Sequence, residues 1–178
     1  MANTHKIFQA LRMASQDVVS YDRSIVCTSD LDNGSLVIET VPATNIYGTN
    51  EMDVYVATAP AAVATDRLLI VDSGDVARIE GFKINVVDPR YNYVPANVVA
   101  KARQLIVGDE FAQSAAAFTS APTVGEYVYG VNGSTLWSAS GNLASTASHR
   151  CYAYVVSAWT FSVGKTNVSG YKLRVEQA

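Results

Sequence analysis

The chain spells one short pattern twice, and this repeat constrains the fold more than any other feature of the sequence. Val107–Phe111 reads VGDEF, and Val124–Tyr127 reads VGEY. In each copy, a glycine is followed by an acid and then by an aromatic residue. Glycine adopts backbone conformations that β-branched residues cannot, and the acid is expected to stay exposed to water. The repeat predicts two turns that begin successive strands of one barrel-like sheet, with Phe111, Tyr127 and Tyr129 pointing inward.

Short β-rich runs separated by turn signals extend from residue 24 to the end of the chain. Such runs are typical of barrels and sandwiches. Asn33-Gly34 and Asn132-Gly133 suit the positive φ angles of tight turns, so each pair predicts a hairpin between the strands that flank it. The predicted strands are Ser24–Thr28, Leu36–Val41, Asp53–Ala57, Arg67–Val71, Ile79–Val87, Tyr127–Val131, Ser134–Ser138, Cys151–Ser162 and Tyr171–Val175. We therefore predict a mainly β chain that forms a single β-barrel-like or sandwich domain with a short N-terminal helix or arm.

The connections between these strands have their own signals. Ser114–Phe118 resembles one helical turn capped by Ser114. Asp88–Pro95 contains two prolines, which predict an extended segment that crosses between two halves of the fold. Ala57–Asp66 is alanine-rich and fits either a loop or a short helix, and Val163–Gly170 is expected to connect the last two strands.

The N-terminal segment has the periodicity of an amphipathic helix. Thr4 is a candidate N-cap. One stripe fits both a helix packed on its own domain and an arm that lies on a partner. We divide the chain into an N-terminal helix or arm, residues 1–22, and a single mainly-β domain, residues 23–178. Over residues 4–18 the apolar positions on one helical face are Ile7, Leu11, Ala14 and Val18.

Composition narrows the class of protein. The chain has 178 residues, enough for one domain with a sizeable core, and 49% of them are hydrophobic. Only 16% are charged and the net charge is −3, with no basic cluster, so we expect no nucleic-acid partner. No apolar run reaches the length of a membrane-spanning helix, and no signal-peptide pattern is visible. We therefore expect synthesis in a cytoplasm and no membrane partner.

Residues suited to catalysis or metal binding do not form a recognisable motif. His5 and His149 lack the spaced partners that zinc needs. No nucleophile elbow and no phosphate-binding loop occurs, although a dispersed Ser-His-Asp site stays open. We predict no catalytic, cofactor or metal residue and disfavour an enzyme. Cys27 and Cys151 are expected to be buried free thiols, with a disulfide left open.

Aromatic residues are the remaining functional signal, since the chain has ten tyrosines and two tryptophans. Such side chains fill β cores, and they also form contacts to proteins and sugars. Tyr91, Tyr93 and Trp137 fall near predicted loops and are candidates for exposed contacts, with core or rim packing as the alternative.

The order of turns in the C-terminal half resembles a known group of proteins. The segments that carry the resemblance are an FKI strand leading into Asp88-Pro89, KARQLIVGDEF over Lys101–Phe111, PTVGEYV over Pro122–Val128, Asn132-Gly133-Ser134, the aromatic strand Tyr152–Phe161 and a terminal KLRVE. With these segments in this order, the range Phe82–Glu176 resembles the small β-rich head proteins of tailed bacteriophages. Several of these resemble capsid decoration, or cement, proteins. The first eighty residues match no pattern that we can name.

The resemblance implies a structural role without catalysis. A decoration protein would bind the major capsid protein on the outer surface of the mature head, stabilise it by mass action and reside in the virion after synthesis in the host cytoplasm. It could also associate with itself as a homo-oligomer. The predicted interface residues are Ile7, Phe8, Leu11, Tyr91, Tyr93 and Trp137. The alternatives are an adhesive or carbohydrate-binding module of a head fibre or tail, and an enzyme that gathers His149 with a carboxylate.

Overall fold

The protein is built mostly from β-strands, which confirms the predicted fold class. The computed structural model describes residues 5–44, 50–73, 76–79, 82–85, 92–142, 146 and 148–178. Within the described residues strands predominate, helices are few and short, and the sheets include a small closed barrel of five strands.

The strands are numbered along the chain. They are β1 (Phe8–Arg12), β2 (Asp22–Val26), β3 (Leu31–Asp32), β4 (Leu36–Thr44), β5 (Asn50–Thr58), β6 (Leu69–Val71), β7 (Val76–Ile79), β8 (Phe82–Asn85), β9 (Tyr93–Val94), β10 (Ala100–Gln104), β11 (Glu110–Ser114), β12 (Tyr127–Gly130), β13 (Trp137–Ser140), β14 (Tyr152–Val163) and β15 (Thr166–Gln177). One short helix, α1 (Ala14–Asp17), and 3₁₀ turns at Val19–Tyr21 and Ala115–Ala117 complete the described elements.

Five strands close into a barrel in the order β10-β2-β5-β4-β6. β2 and β5 run parallel, and the neighbouring pairs around them are antiparallel. Along β6, Leu69 and Val71 belong to the core inside the barrel, whereas Ile70 belongs to a second core outside it. Because side chains alternate along a strand, the strands of the barrel contribute side chains to both cores.

Six strands form an open sheet in the order β1-β11-β15-β14-β12-β13. Its inner face packs against the barrel, where Phe111, Val128 and Leu173 are fully buried beside Leu36 and Ile70. The opposite side, here called the outer face, is not covered by the barrel. The sheet therefore presents one large surface away from the main core.

A bulge in β14 changes which residues reach the outer face. The register with β15 shifts between Val155 and Ser157, so one residue is left without a partner. Before the bulge, Val155 points to the inner face. After it, Phe161 and Val163 join Ile7 in a separate cluster on the outer face. The bulge thus moves the buried apolar side chains of β14 from the inner face to the outer face.

The two repeated turns have the same hydrogen bonds. In the first, the Asp109 N–H donates to the Ile106 carbonyl over 3.0 Å, and the Ile106 N–H donates to the Asp109 carboxylate over 2.9 Å. In the second, the Glu126 N–H donates to the Thr123 carbonyl over 3.1 Å, and the Thr123 N–H donates to the Glu126 carboxylate over 2.7 Å. The acid therefore closes each turn with its side chain.

Each turn is also fixed to the central hairpin of β14 and β15. The Gly108 N–H donates to the Val175 carbonyl in β15, and the Gly125 N–H donates to the Val155 carbonyl in β14. β11 and β12 then flank this hairpin on its two sides. The prediction that the repeat begins two strands of one sheet is confirmed, but the sheet is the open one and not the barrel.

The acid of the first turn does not stay in water as expected. Asp109 is only 2% exposed, and its carboxylate also accepts a hydrogen bond from the Ala14 N–H over 2.7 Å. Burial raises the pKa of Asp109 above its ordinary value, and the bonds from Ala14 and Ile106 oppose that rise. Asp109 therefore ties the N-terminal segment to the repeated turn.

We expect Gly108→Ala and Gly125→Ala to destabilise the protein by similar amounts, about 1–2 kcal/mol each. Their φ angles are +92° and +95°, and a methyl group would meet nothing closer than 3.8 Å at either site. The cost is therefore backbone strain alone, measurable by urea unfolding. Gly141→Ala, at an uncrowded glycine without a positive φ, is the control and should change the unfolding free energy little. A large effect at only one of the two turns would show that they are not equivalent.

The helix predicted over residues 4–18 is wrong. Phe8–Arg12 is a strand that pairs antiparallel with β11, and the helix that follows has only four residues. Alternate residues of the strand serve opposite faces, since Phe8 packs on the inner core and Ile7 and Leu11 on the outer cluster. The edge of β11 offers a full set of backbone hydrogen bonds, and this tertiary pairing overrides the helical spacing. Thr4 lies outside the described residues.

One predicted hairpin is also wrong, and the other is confirmed. β2 and β4 exist, but β5 lies between them in the barrel. The Asn33-Gly34 turn, with Gly34 at φ +78°, instead joins β3 to β4. Around Asn132-Gly133, β12 and β13 pair as predicted, although β13 begins at Trp137 and not at Ser134.

The predicted connections differ in detail. The 3₁₀ turn at Ala115–Ala117 confirms the helical turn, but Ser114 does not cap it with its side chain. Its hydroxyl instead accepts a hydrogen bond from the Ile7 N–H over 2.9 Å. Residues 59–66 form turns and not a helix, and the Asp66 carboxylate accepts the N–H groups of Ala61 and Ala62.

Other boundaries also move. The connection predicted over Val163–Gly170 is mostly strand, because β14 and β15 extend to a short hairpin turn. The single strand predicted over Ile79–Val87 overlaps the β7–β8 hairpin, and residues 80–81 and 86–91 lie outside the described residues. Of the predicted crossing segment Asp88–Pro95, residues 92–95 are described, and within them Tyr93–Val94 forms β9, which pairs with β3.

The two cysteines are free and buried, as expected. Burial raises the pKa of the Cys151 thiol to about 12. A thiol with this pKa is almost entirely protonated near neutral pH and is a poor nucleophile.

Candidate interaction surface

Four tyrosines lie together on the outer face of the sheet. Tyr127 pairs with Tyr154, and Tyr129 pairs with Tyr152, across β12 and β14. Their strand neighbours Val128 and Ala153 are fully buried in the inner core. Since successive side chains alternate, the four half-buried tyrosines point away from the barrel. We call this surface the tyrosine face.

The rings of the tyrosine face hold one another in place. Tyr127 is central, with its ring centroid 5.4 Å from that of Tyr154 and 5.8 Å from that of Tyr152. The interplanar angles of 59° and 78° are those of tilted and edge-to-face pairs, which aromatic rings prefer over direct stacking. Tyr127, Tyr152 and Tyr154 therefore pack against one another within the chain itself.

Two basic side chains border the tyrosine face. The guanidinium carbon of Arg174 lies 5.9 Å from the centroid of the Tyr154 ring, within the range of a cation–π contact. The side-chain hydrogen bond and charge of Glu176 raise the pKa of Arg174 above its ordinary value. On the other side, the ring centroid of His149 lies 4.2 Å from that of Tyr129.

The outer face continues along β14 beyond the bulge. Trp159 is half-buried and, with Leu11 and Val168, borders the outer cluster that contains Phe161. Beside it, the Lys172 ammonium lies 2.8 Å from the Glu110 carboxylate. The face thus combines large aromatic side chains with charges that are paired within the chain.

The predicted interface residues lie mostly elsewhere. Trp137 is fully buried beside Phe111, so of the two alternatives the sequence left open for it, core packing is the one observed. Tyr93 is half-buried and stacks on His5 with their ring centroids 4.9 Å apart. Tyr91 lies outside the described residues.

The predicted N-terminal interface residues pack on their own domain. Ile7 is 4% exposed in the outer cluster, whereas Phe8 and Leu11 are half-buried. Only Leu11 borders the same cluster as Trp159. Their contact with a neighbouring subunit stays a prediction.

Sequence reasoning missed the tyrosine face, although its signal was present. Tyr127–Tyr129 reads YVY and Tyr152–Tyr154 reads YAY, so both segments alternate at the strand period. The tyrosines of the first segment were expected inside. The smaller residue of each triplet points inward instead, and Tyr127 and Tyr129 point outward.

A buried polar cluster near the start of the chain has the atoms of a nucleophile and a base. The Lys6 ammonium donates to Ser35 Oγ over 2.9 Å and to Thr135 Oγ1 over 3.2 Å. Burial lowers the pKa of Lys6, although the Asp32 carboxylate opposes that shift. Ser35 is 1% exposed, so a substrate could not reach its hydroxyl without a rearrangement. The cluster fastens the N-terminal segment to the barrel.

In the described part of the chain, His149 has no hydrogen bond or ion pair with a carboxylate, which the enzyme hypothesis requires. Among the described residues, its ring contacts Tyr129 and approaches Ser148 Oγ at 3.5 Å. Within the same part of the chain, no three His, Cys, Asp or Glu side chains group closely enough to hold a metal ion. No helix there combines the length and hydrophobicity needed to cross a bilayer.

Comparisons with known proteins add no family assignment. No protein-family model matches the chain, and no curated protein matches it at a significant level.

Proposed function

We propose that this chain is a structural protein of a tailed-bacteriophage virion, which decorates the outer surface of the mature head, and that the tyrosine face binds the major capsid protein. The observation that carries this proposal is a packed aromatic surface on a β domain. The turn order of Phe82–Glu176, which resembles that of small phage head proteins, supports the choice of partner.

The composition of the tyrosine face supports a protein partner. Tyrosine, tryptophan and arginine are the residues most enriched at the energetic centres of protein interfaces. Tyrosine offers a large contact area and loses little conformational entropy on binding, particularly where neighbouring rings already order it. The Lys172–Glu110 and Arg174–Glu176 pairs leave the outer face without a strong net charge. Affinity would then depend mainly on shape and apolar contact.

Decoration would stabilise the head without any chemical step. A protein that binds the mature lattice but not its precursor or its disassembled subunits shifts the equilibrium toward the mature lattice. The stabilisation from each bound copy can be modest because the contributions of many equivalent sites add over a symmetric shell. A charge-poor domain that presents a single aromatic surface suits that role.

The double variant Tyr127→Ala/Tyr154→Ala is expected to weaken binding to heads by about 100-fold or more, because interface tyrosines often contribute about 2 kcal/mol each. Heads that lack this protein are mixed with each variant, and the bound fraction is measured by co-sedimentation over a range of concentrations. Tyr55→Ala removes a half-buried tyrosine from β5 of the barrel and serves as the matched control. Unchanged binding by the double variant, with its fold intact, would contradict the assignment of this face.

Carbohydrate binding is a second candidate, favoured by one feature of the same face. Ser140 lies opposite Tyr127, and Ser138 lies opposite Tyr129, so hydroxyl groups flank the aromatic rings. Sugar-binding surfaces combine aromatic rings with polar groups that fix the orientation of the ligand. Glycan-array binding that is lost in the same double variant, without binding to heads, would favour this function over decoration.

A further inference from the structure

A depression of about 290 Å³ opens at the seam between the barrel and the sheet. Its floor includes Leu68 and Leu105, which belong to the main core. Polar side chains from Tyr21, Gln104 and two arginines surround that floor. We call this feature the seam depression, and its chemistry is set by Arg67 and Arg150.

The two arginines of the seam depression lack the ion pairs that three other arginines in the described part of the chain form. Arg23 pairs with Glu39, Arg103 with Asp22 and Asp72, and Arg174 with Glu176. Arg67 and Arg150 have no side-chain carboxylate within ion-pair distance among the described residues. In that part of the chain, two guanidinium groups thus border one depression without a paired side-chain carboxylate.

The immediate surroundings hold one of these groups in place. One amino group of Arg150 donates to the Thr65 carbonyl over 2.7 Å, which anchors the side chain and leaves other N–H groups of the fork for a ligand. The nearby Asp66 carboxylate accepts two backbone N–H groups from Ala61 and Ala62. That carboxylate makes its hydrogen bonds within the loop and, among the described residues, forms no ion pair with either arginine.

We propose that the seam depression binds an aliphatic carboxylate. The planar fork of arginine matches a carboxylate with two parallel hydrogen bonds. The volume is at the lower limit for ligand sites, which suits a group the size of a glutamate side chain. The apolar floor accommodates its methylene groups, while Gln104 and Tyr21 offer further hydrogen bonds. The ligand is either a free small acid or an acidic side chain of a protein partner, and the second source rests on the proposed function.

Glutarate tests the chemical class directly. Titration of the full chain with glutarate, followed by NMR of the arginine side-chain N–H groups, should give saturable shifts at Arg67 and Arg150. Neutral glutaramide should give none. Arg67→Gln and Arg150→Gln should each weaken glutarate binding by about tenfold, as expected for the loss of one charge-assisted hydrogen-bond pair. Arg23→Gln, whose arginine pairs with Glu39, is the control and should bind normally.

Two results would overturn this assignment. Shifts that stay linear up to high glutarate concentration would mean that there is no site. Inorganic phosphate that binds more tightly than glutarate would assign the depression to phosphate instead.

If glutarate binds, co-sedimentation of Arg67→Gln with heads decides the source of the carboxylate. Weaker head binding supports an acidic side chain of the capsid, and unchanged head binding overturns that source in favour of a free acid. Failure of the wild-type chain to bind heads would instead contradict the proposed function, with the glutarate result still standing.

Discussion

Removal of residues 1–12 is expected to leave a chain that no longer unfolds as one cooperative unit. β1 is the edge strand of the six-stranded sheet, and its loss exposes the backbone edge of β11. Ile7 is buried in the outer cluster, and Phe8 packs against Phe111 with their ring centroids 5.7 Å apart. Burying side chains of this size contributes about 2 kcal/mol each. Their joint loss is large against the total stability of a domain, about 5–15 kcal/mol.

Polar contacts add to the cost of this truncation. Lys6 donates to Ser35 and Thr135, and His5 Nδ1 lies 2.5 Å from the Asp32 carboxylate. Truncation would leave Ser35, which is buried, without this partner, and buried polar groups that lose their partners cost further free energy. The N-terminal segment therefore joins the barrel and the sheet of its own domain.

Far- and near-ultraviolet circular dichroism during urea unfolding would measure the effect. Gln9→Ala, which changes an exposed side chain within β1, is the control and should unfold like the wild type. A truncated chain that keeps a cooperative transition within about 1 kcal/mol of the wild type would contradict this expectation. That result would favour the alternative hypothesis, in which the N-terminal segment is an arm that contacts a partner.

Gly170→Ala is expected to destabilise the protein by about 3 kcal/mol, more than either turn glycine. A methyl group at Gly170 would lie within 2.6 Å of Phe161 Cε2 and closer still to the Gln113 carbonyl oxygen. The carbonyl belongs to the neighbouring strand β11 and cannot rotate away, so β11 and β15 must separate to accept the methyl group. Both the sheet and the outer cluster would lose contacts.

Urea unfolding of Gly170→Ala beside Ser169→Ala isolates this close approach. Ser169 is the preceding residue of β15 and is exposed, so its substitution removes little. If Gly170→Ala changed the unfolding free energy by less than about 1 kcal/mol, the tight packing of β15 on β11 at this point would be contradicted.

Local patterns in the sequence predicted most of the strands and turns because their causes are local. Gly108 and Gly125 adopt positive φ angles, and the Asn132-Gly133 pair forms the turn of a hairpin. The order of strands has no such local cause. β3 lies between β2 and β4 along the chain, and β5 lies between them in the barrel, so the pairing depends on residues that are far apart in the sequence.

The candidate site was harder to predict than the fold. Alternation in YVY and YAY indicates that tyrosines share one face, but it does not say which face meets the barrel. That choice depends on the opposing layer, against which Val128 and Ala153 pack tightly. The sequence left Trp137 open between exposure and core packing for a related reason, since a residue next to a predicted loop can still begin a buried strand.

The most direct test of the proposed role is the number of copies of this chain in each virion, measured against the major capsid protein in particles purified from the source of the sequence. We expect a copy number comparable to that of the capsid subunits or capsomers, with the protein on the outer surface of the mature head. A handful of copies would point to a connector, tail or fibre, and complete absence from the particle would contradict the proposal.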